Sequence, residues 1–96
     1  MRRAKIVATW GPAIGTYDKT LAVLKAGVDV ARLNMSHGDH SMHAENLGNV
    51  RAAAEELGRP VGIFADLQGP KIRLGRFVGD AKHMLHVGDT FTIVIA

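Results

Sequence analysis

The stretch VARLNMSHGDH, residues 30 to 40, places Arg32 between Ala31 and Leu33, with Asn34, Ser36 and His37 close behind. Successive side chains of a strand point to opposite faces. Read that way, Val30, Arg32, Asn34 and Ser36 share one face, and Ala31, Leu33 and Met35 share the other. The apolar face can be covered by helices. The polar row runs toward the strand's C-terminal end, which is where parallel α/β folds bind ligands.

The flanking sequence supplies the partners that such a strand needs. KIVATW (5–10) is a short β-branched run stopped by Gly11-Pro12, which predicts a strand and a turn. Thr16 or Asp18 can cap a helix carrying Leu21, Leu24 and Val28, with Gly27 as its stop. The central strand is expected over 28–35, and Gly38-Asp39-His40-Ser41 leads into a second helix with Ser41 as N-cap. Leu47, Val50, Ala54 and Leu57 fit a 3.6-residue period, and Gly58 and Pro60 end the pattern. Gly48 inside this helix costs about 1 kcal/mol relative to alanine, so neighbouring packing is expected to hold its turn. VGIFADL (61–67) gives a third strand.

The order strand, helix, strand, helix, strand predicts a parallel α/β unit with right-handed crossovers. Beyond Pro70, IRLGRFVG and LHVGDTFTIVI hold short apolar runs broken by glycine, a texture that predicts antiparallel β structure. An open three-stranded parallel sheet leaves two bare edges, whereas a complete (β/α)8 barrel takes about 250 residues. The chain therefore reads as the first βαβαβ portion of a TIM barrel over 1–69, followed over 70–96 by the start of an inserted, barrel-like β domain. A small doubly wound sheet is the rival architecture.

Composition narrows the function classes. With 47% hydrophobic and 22% charged residues the chain belongs with globular proteins rather than disordered ones. Ninety-six residues bury only roughly 60 to 65% of the unfolded surface. The net charge is +3, yet the basic residues are scattered and only five aromatics are present, which argues against nucleic-acid binding. There is no cysteine, hence no disulfide framework or thiolate metal site. No apolar run is long enough to span a membrane, and a cytoplasmic location is the default expectation.

Thr9 on the first strand and Asp66 on the third occupy places that match the polar row of the second. Arg32, Asn34, Ser36, Asp66 and Thr9 are thus expected on one rim. Arg32 needs a partner, Asp66 or Asp29, because an unpaired buried cation is prohibitive. As a purely structural device such a pair is often no better than an apolar substitute, whereas a guanidinium suits a phosphate or carboxylate through bidentate bonds. Lys71, Arg73 and Arg76 follow the third strand closely and would concentrate positive potential for a polyphosphate. His37, His40 and His43 have a metal-like spacing but straddle a loop and a helix start, so they read as solvated or capping residues.

Taken together, KIVATWGPA, GVDVARLNMSHG and ADLQGPKIRLG resemble, in order and approximate spacing, the N-terminal portion of pyruvate kinase. The resemblance implies a (β/α)8 barrel with a lid domain inserted after its third strand. It also implies phosphoryl transfer from phosphoenolpyruvate to ADP, yielding pyruvate and ATP with magnesium in glycolysis, in a homotetramer. On that basis Arg32 matches the arginine that holds the transferred phosphate. Asn34, Met35, Ser36 and His37 match nucleotide-contacting positions, and Arg73 matches an arginine on the ADP phosphates.

The same resemblance makes Asn34, Ser36, Asp66 and the carbonyl of Leu67 the family's potassium site. Potassium-using members carry glutamate at the place of Lys71 and usually threonine and lysine at those of Leu67 and Gln68, so Lys71 is the expected surrogate for the ion. Trp10 stands where the family usually has a smaller aliphatic residue; an indole there would crowd the barrel wall or mark a sequence variant. The family's lysine near the enol carbon and its acidic magnesium ligands belong to later strands, so the 96 residues alone are expected to be inactive. The alternative is a non-catalytic phosphate-binding or subunit-association module that keeps Arg32 and Arg73.

Overall fold

A computed structural model of the chain describes residues 2–95. Strands β1 (Val7–Thr9), β2 (Val30–Asn34) and β3 (Gly62–Asp66) form one parallel sheet in the order β1-β2-β3, joined by helices α1 (Tyr17–Ala26) and α2 (His40–Leu57). The expected βαβαβ order is present, and each strand is one or two residues shorter at each end than the apolar run that predicts it. Pairing nevertheless continues past β1, because the carbonyl of Ile6 accepts from Asp29 and Val30 and the Trp10 N–H donates to the carbonyl of Arg32.

The two sheet faces differ as the alternation requires. Ala31 and Leu33 are buried with Leu24 of α1 and Val50 and Ala53 of α2, and Ala8 and Ile63 pack against the same cluster. Burying a side chain the size of Leu24 or Val50 contributes about 1.5–3 kcal/mol. Both helices therefore lie on one face, and they also meet each other, the Tyr17 hydroxyl bonding to Glu56. The opposite face carries Val7, Thr9, Arg32 and Phe64, and Val7 and Phe64 stay exposed. Sequential strand order with both helices on one side is the geometry of a barrel wall; one half of a doubly wound sheet shares it, and a complete one would cover the other face as well.

Helix ends follow local chemistry. Thr16 caps α1 by accepting from the Lys19 N–H, and Gly27 ends it with its own N–H on the carbonyls of Leu24 and Val23. Val28 lies beyond the helix but still joins the core. The exposed carbonyls at this end are met by cations: Arg2 donates to the carbonyl of Gly27 at 2.6 Å, and Arg59 donates to those of Leu24 and Val28. Positive charge at a helix C-terminus also opposes the helix dipole. Gly58 adopts the left-handed conformation that closes α2, φ +66°, which glycine reaches without a Cβ clash.

Several expectations are corrected. Asp39, not Ser41, caps α2: its Oδ1 accepts from the Met42 N–H at 2.8 Å, while Ser41 lies one residue into the helix and donates its hydroxyl to the same oxygen. The innermost row of α2 is His43, Asn46, Val50 and Ala53, rotated from the expected stripe, whose Leu47, Ala54 and Leu57 are only partly buried. Trp10 does not crowd the wall. It is 3% exposed within the core, and its indole N–H donates to Thr20 Oγ1 at 3.1 Å, while Thr20 donates onward to the carbonyl of Ile14.

Among the described residues, 67–95 contain no strand, so the antiparallel pairing expected there is not formed. A short 3-10 turn at Val78–Asp80 and edge-on contacts of Phe77 with His83 and Phe91 are its main local structure. The apolar runs around Ile72 and Ile93 lie 21 residues apart. Two short strands without a third, or a helix to pack against, are marginal in water.

No packing holds the turn at Gly48, contrary to expectation: the residue is exposed, and a Cβ there would meet nothing within 4 Å. Gly48→Ala is therefore expected to stabilise the fold by roughly 0.5–1 kcal/mol, raising Tm by several degrees in thermal unfolding followed by circular dichroism. An unchanged or lower Tm would contradict the open position.

Candidate functional site

Parallel pairing brings Thr9, Arg32, Asn34 and Asp66 to the C-terminal edge of the sheet. Thr9 is in register with Arg32, and Asn34 with Asp66. Arg32 reaches across to β3, its Nε donating to Asp66 Oδ2 at 2.8 Å and Nη2 lying 2.6 Å from the same oxygen. On the other side Nη1 donates to Thr9 Oγ1 at 2.9 Å. A guanidinium carries five N–H donors, so two remain without a partner among the described residues. The Arg32 side chain is 30% exposed, which leaves it accessible at the mouth while held from both flanks. Asp29, the other candidate partner, instead joins Arg2 and Arg59 at the opposite end of β2.

Beyond β2 the chain makes a tight turn. The carbonyl of Asp66 accepts from the Met35 N–H at 3.0 Å, Asn34 Oδ1 accepts from Ser36 N–H at 3.1 Å, and the Asn34 carbonyl accepts from His37 N–H at 3.2 Å. Asn34 therefore shapes the turn through its own side chain, a common use of asparagine. Gly38 follows with φ +74°, and a Cβ there would lie 2.0 Å from the Met42 methyl. The left-handed conformation is what favours glycine here, since the Met42 methyl is the far end of a flexible side chain and can move aside. Met35, Gly38, His40 and His43 face Leu67, Gln68 and Gly69 across a hollow of about 500 Å³.

His37 and His40 are exposed, as expected of solvated residues, but His43 is not. It is 7% exposed, its Nε2 lies 2.6 Å from the carbonyl of His37, and its Nδ1 has no partner among the described residues. The signal that would have found it was its helical spacing to Asn46, Val50 and Ala53, which puts all four on the inward row. Among the described residues, no group of three or more histidine and carboxylate side chains is placed to hold a metal ion.

The donor set expected for potassium can be judged atom by atom. Asp66 Oδ1, Ser36 Oγ and the Leu67 carbonyl are hard oxygens with no hydrogen-bond partner among the described residues, and Asn34 Oδ1 accepts a single bond. Such a set fits an alkali cation in chemistry. Asp66 already pairs with Arg32, however, so part of its charge is offset before any ion arrives. Lys71 and Arg73 are exposed, and neither makes a hydrogen bond or ion pair among the described residues.

Comparison with known proteins supplies an independent line. The family described as "Pyruvate kinase, barrel domain" matches residues 1–96. The chain is 55% identical over 94 residues to the pyruvate kinase of Corynebacterium glutamicum and 51% identical over 94 residues to that of Mycobacterium tuberculosis. Each match covers 98% of the chain, which spans about a fifth, 20%, of the length of these relatives. Among solved structures, the crystal structure of Cryptosporidium parvum pyruvate kinase superposes with a TM-score of 0.73 at 41% identity, covering 78% of this chain and 16% of that one.

The start of α2 makes the turn's support sensitive to pH. The Met42 N–H first, and then the Ser41 hydroxyl, hold the Asp39 carboxyl below its ordinary value. A carboxylate whose pKa is lowered by folding stabilises the fold above its unfolded pKa, and loses that contribution as pH falls through the folded one. Asp39→Ala is therefore expected to lower Tm near neutral pH and to cost progressively less below about pH 4. Melts across that range read the effect; a constant gap down to about pH 2 would contradict it.

Proposed function

The chain belongs to the pyruvate kinase family, and from that premise we propose that it forms the opening of the catalytic barrel of an enzyme that moves the phosphoryl group of phosphoenolpyruvate to ADP. In that reaction the enol phosphate P–O bond breaks, an ADP β-phosphate oxygen takes the phosphorus, and the released enolate gains a proton at carbon to become pyruvate. The observation that carries the reading is Arg32, fixed by Asp66 and Thr9 at the sheet's C-terminal edge with two N–H donors to spare. Catalysis of such transfers is mainly positioning and compensation of charge on the equatorial oxygens, and a guanidinium held in advance does both.

In this reading Asn34, Met35, Ser36 and His37 contact the nucleotide, and Arg73 contacts the ADP phosphates. Magnesium ligands and the residue that protonates the enolate come from later strands, so the 96 residues are inactive alone. The segment from residue 70 begins the lid, and the whole enzyme is a cytoplasmic tetramer. Asn34, Ser36, Asp66 and the Leu67 carbonyl would hold a potassium ion in relatives that use one. Here the ammonium of Lys71 supplies that charge: the donor set is already partly neutralised by Arg32, and a second fixed cation makes a mobile one redundant.

Two measurements test this on the full-length enzyme. Arg32→Gln is expected to lower kcat for ATP formation on the order of a thousandfold, whereas a loss below about tenfold would remove Arg32 from the phosphoryl group. Wild-type turnover is expected without potassium, and Lys71→Glu should create a requirement for it. A strict potassium requirement in the wild type, or none in the variant, would refute the surrogate role. A non-catalytic module would instead bind phosphate through Arg32 and give no ATP from any full-length form.

A further inference from the structure

His43 lines the hollow beside the turn without a stated role, yet among the described residues it is the one buried side chain whose bond ends on the turn between β2 and α2. Its ring reaches back over the start of α2 to the carbonyl of His37, Nε2 to oxygen 2.6 Å, while its own backbone N–H bonds Asp39 in the first helical turn. A carbonyl only accepts, so Nε2 carries the proton in this contact, and Nδ1 is buried without a hydrogen-bond partner among the described residues. An unsatisfied buried polar atom costs free energy that an apolar residue would avoid. Packing alone therefore does not explain a histidine here; the bond to His37 does.

That bond closes the far side of the turn. On the near side Met35 is tied to Asp66, and Asn34 bonds both Ser36 and His37. Gly38, with φ +74°, offers no steric barrier of its own. Among the described residues, His43 supplies the side-chain contact that fixes the exit of the turn. Arg32 is held separately, by Asp66 and Thr9.

We propose that His43 is a positioning residue for the nucleotide: its imidazole clamps the His37 carbonyl and thereby fixes the turn that presents Asn34, Ser36 and His37. The inference rests on the reading of those residues as nucleotide contacts. It separates the two substrates, because loosening the turn disturbs the nucleotide side and leaves Arg32 in place.

The test compares His43→Gln, His43→Asn and His43→Leu in the full-length enzyme. The Gln amide nitrogen overlays Nε2 and can keep the bond; the Asn amide overlays Nδ1 and falls short; Leu fills the space without a donor. Asn and Leu are expected to raise KM for ADP about tenfold while leaving kcat and KM for phosphoenolpyruvate within about twofold, and Gln to stay within about threefold of wild type throughout. Should Leu fold poorly, the Asn and Gln pair carries the comparison. Equal rises in both KM values, an unchanged KM for ADP with Asn, or Gln no better than Asn would overturn the proposal. A wild-type enzyme that makes no ATP would instead refute the nucleotide reading. The clamp is then judged by amide hydrogen exchange: Ser36 and His37 should exchange faster in His43→Asn while α1 is unaffected, and unchanged exchange would refute it.

Discussion

The register of β2 is the constraint on which the rest of the structure depends. Because side chains alternate, a slip of one residue would turn Arg32 and Asn34 into the cluster around Leu24 and Val50 and expel Ala31 and Leu33. That register is secured at the end of the strand away from the mouth. Asp29 accepts the Ile6 N–H at its carboxylate, donates its own N–H to the Ile6 carbonyl, and gives its carbonyl to Gly62, so one residue ties β2 to both neighbours. The Ile6 bond, followed by Arg2, Lys5 and Arg59, keeps its carboxyl below the usual range. With that end fixed, Thr9, Arg32, Asn34 and Asp66 arrive at the opposite edge in the only arrangement the ladder allows.

Most of this was legible in the sequence because it follows from short-range rules. Period-two alternation in β2 separated the mouth from the core, and Thr16, Gly27 and Gly58 marked helix ends through local hydrogen bonding. Asp66 was one of two expected partners of Arg32, the other being Asp29, and the parallel register decides for Asp66 by setting the ends of β2 and β3 side by side. What was misread depends on tertiary contacts. Trp10 finds an acceptor in Thr20, ten residues away on a different element, and nothing local announces it. Asp39 and Ser41 are both good caps, and the helix begins at His40, two residues earlier than a Ser41 cap requires, so Asp39 meets the exposed N–H groups of its first turn. His43 was hidden by its neighbours, since three histidines in a row look like a solvated cluster until the helix rotates one of them inward.

The segment after β3 shows the limit of such rules. Its glycine-broken apolar runs carry strand propensity, yet propensity is largely a measure of fit to a partner surface, and the described residues offer no such surface. The same lack is visible on the sheet, where Val7 and Phe64 are exposed on the face without helices. Barrel closure removes both edges and fills that interior face with side chains from other strands. A bare inner face beside a well-packed outer one is therefore what a barrel wall looks like by itself.

The Arg32–Asp66 pair is poorly explained by stability. Both side chains are substantially exposed, 30% and 44%, and ion pairs in such settings contribute about 0–1 kcal/mol. An arginine also carries about 2 kcal/mol of rotamer entropy when free. Spending that entropy during folding, on Asp66 and Thr9, means that on the proposed function an arriving phosphate would not have to order the side chain itself. The arrangement also directs the charge. Asp66 engages Nε and Nη2 through a single oxygen and Thr9 engages Nη1, so the guanidinium is held along one edge and at one tip while two donors remain for a ligand. A carboxylate in this place orients the cation as well as offsetting part of its charge. That accounts for an arginine threaded through an apolar strand: the strand supplies a rigid mount, and the pair sets the direction in which the mount is aimed.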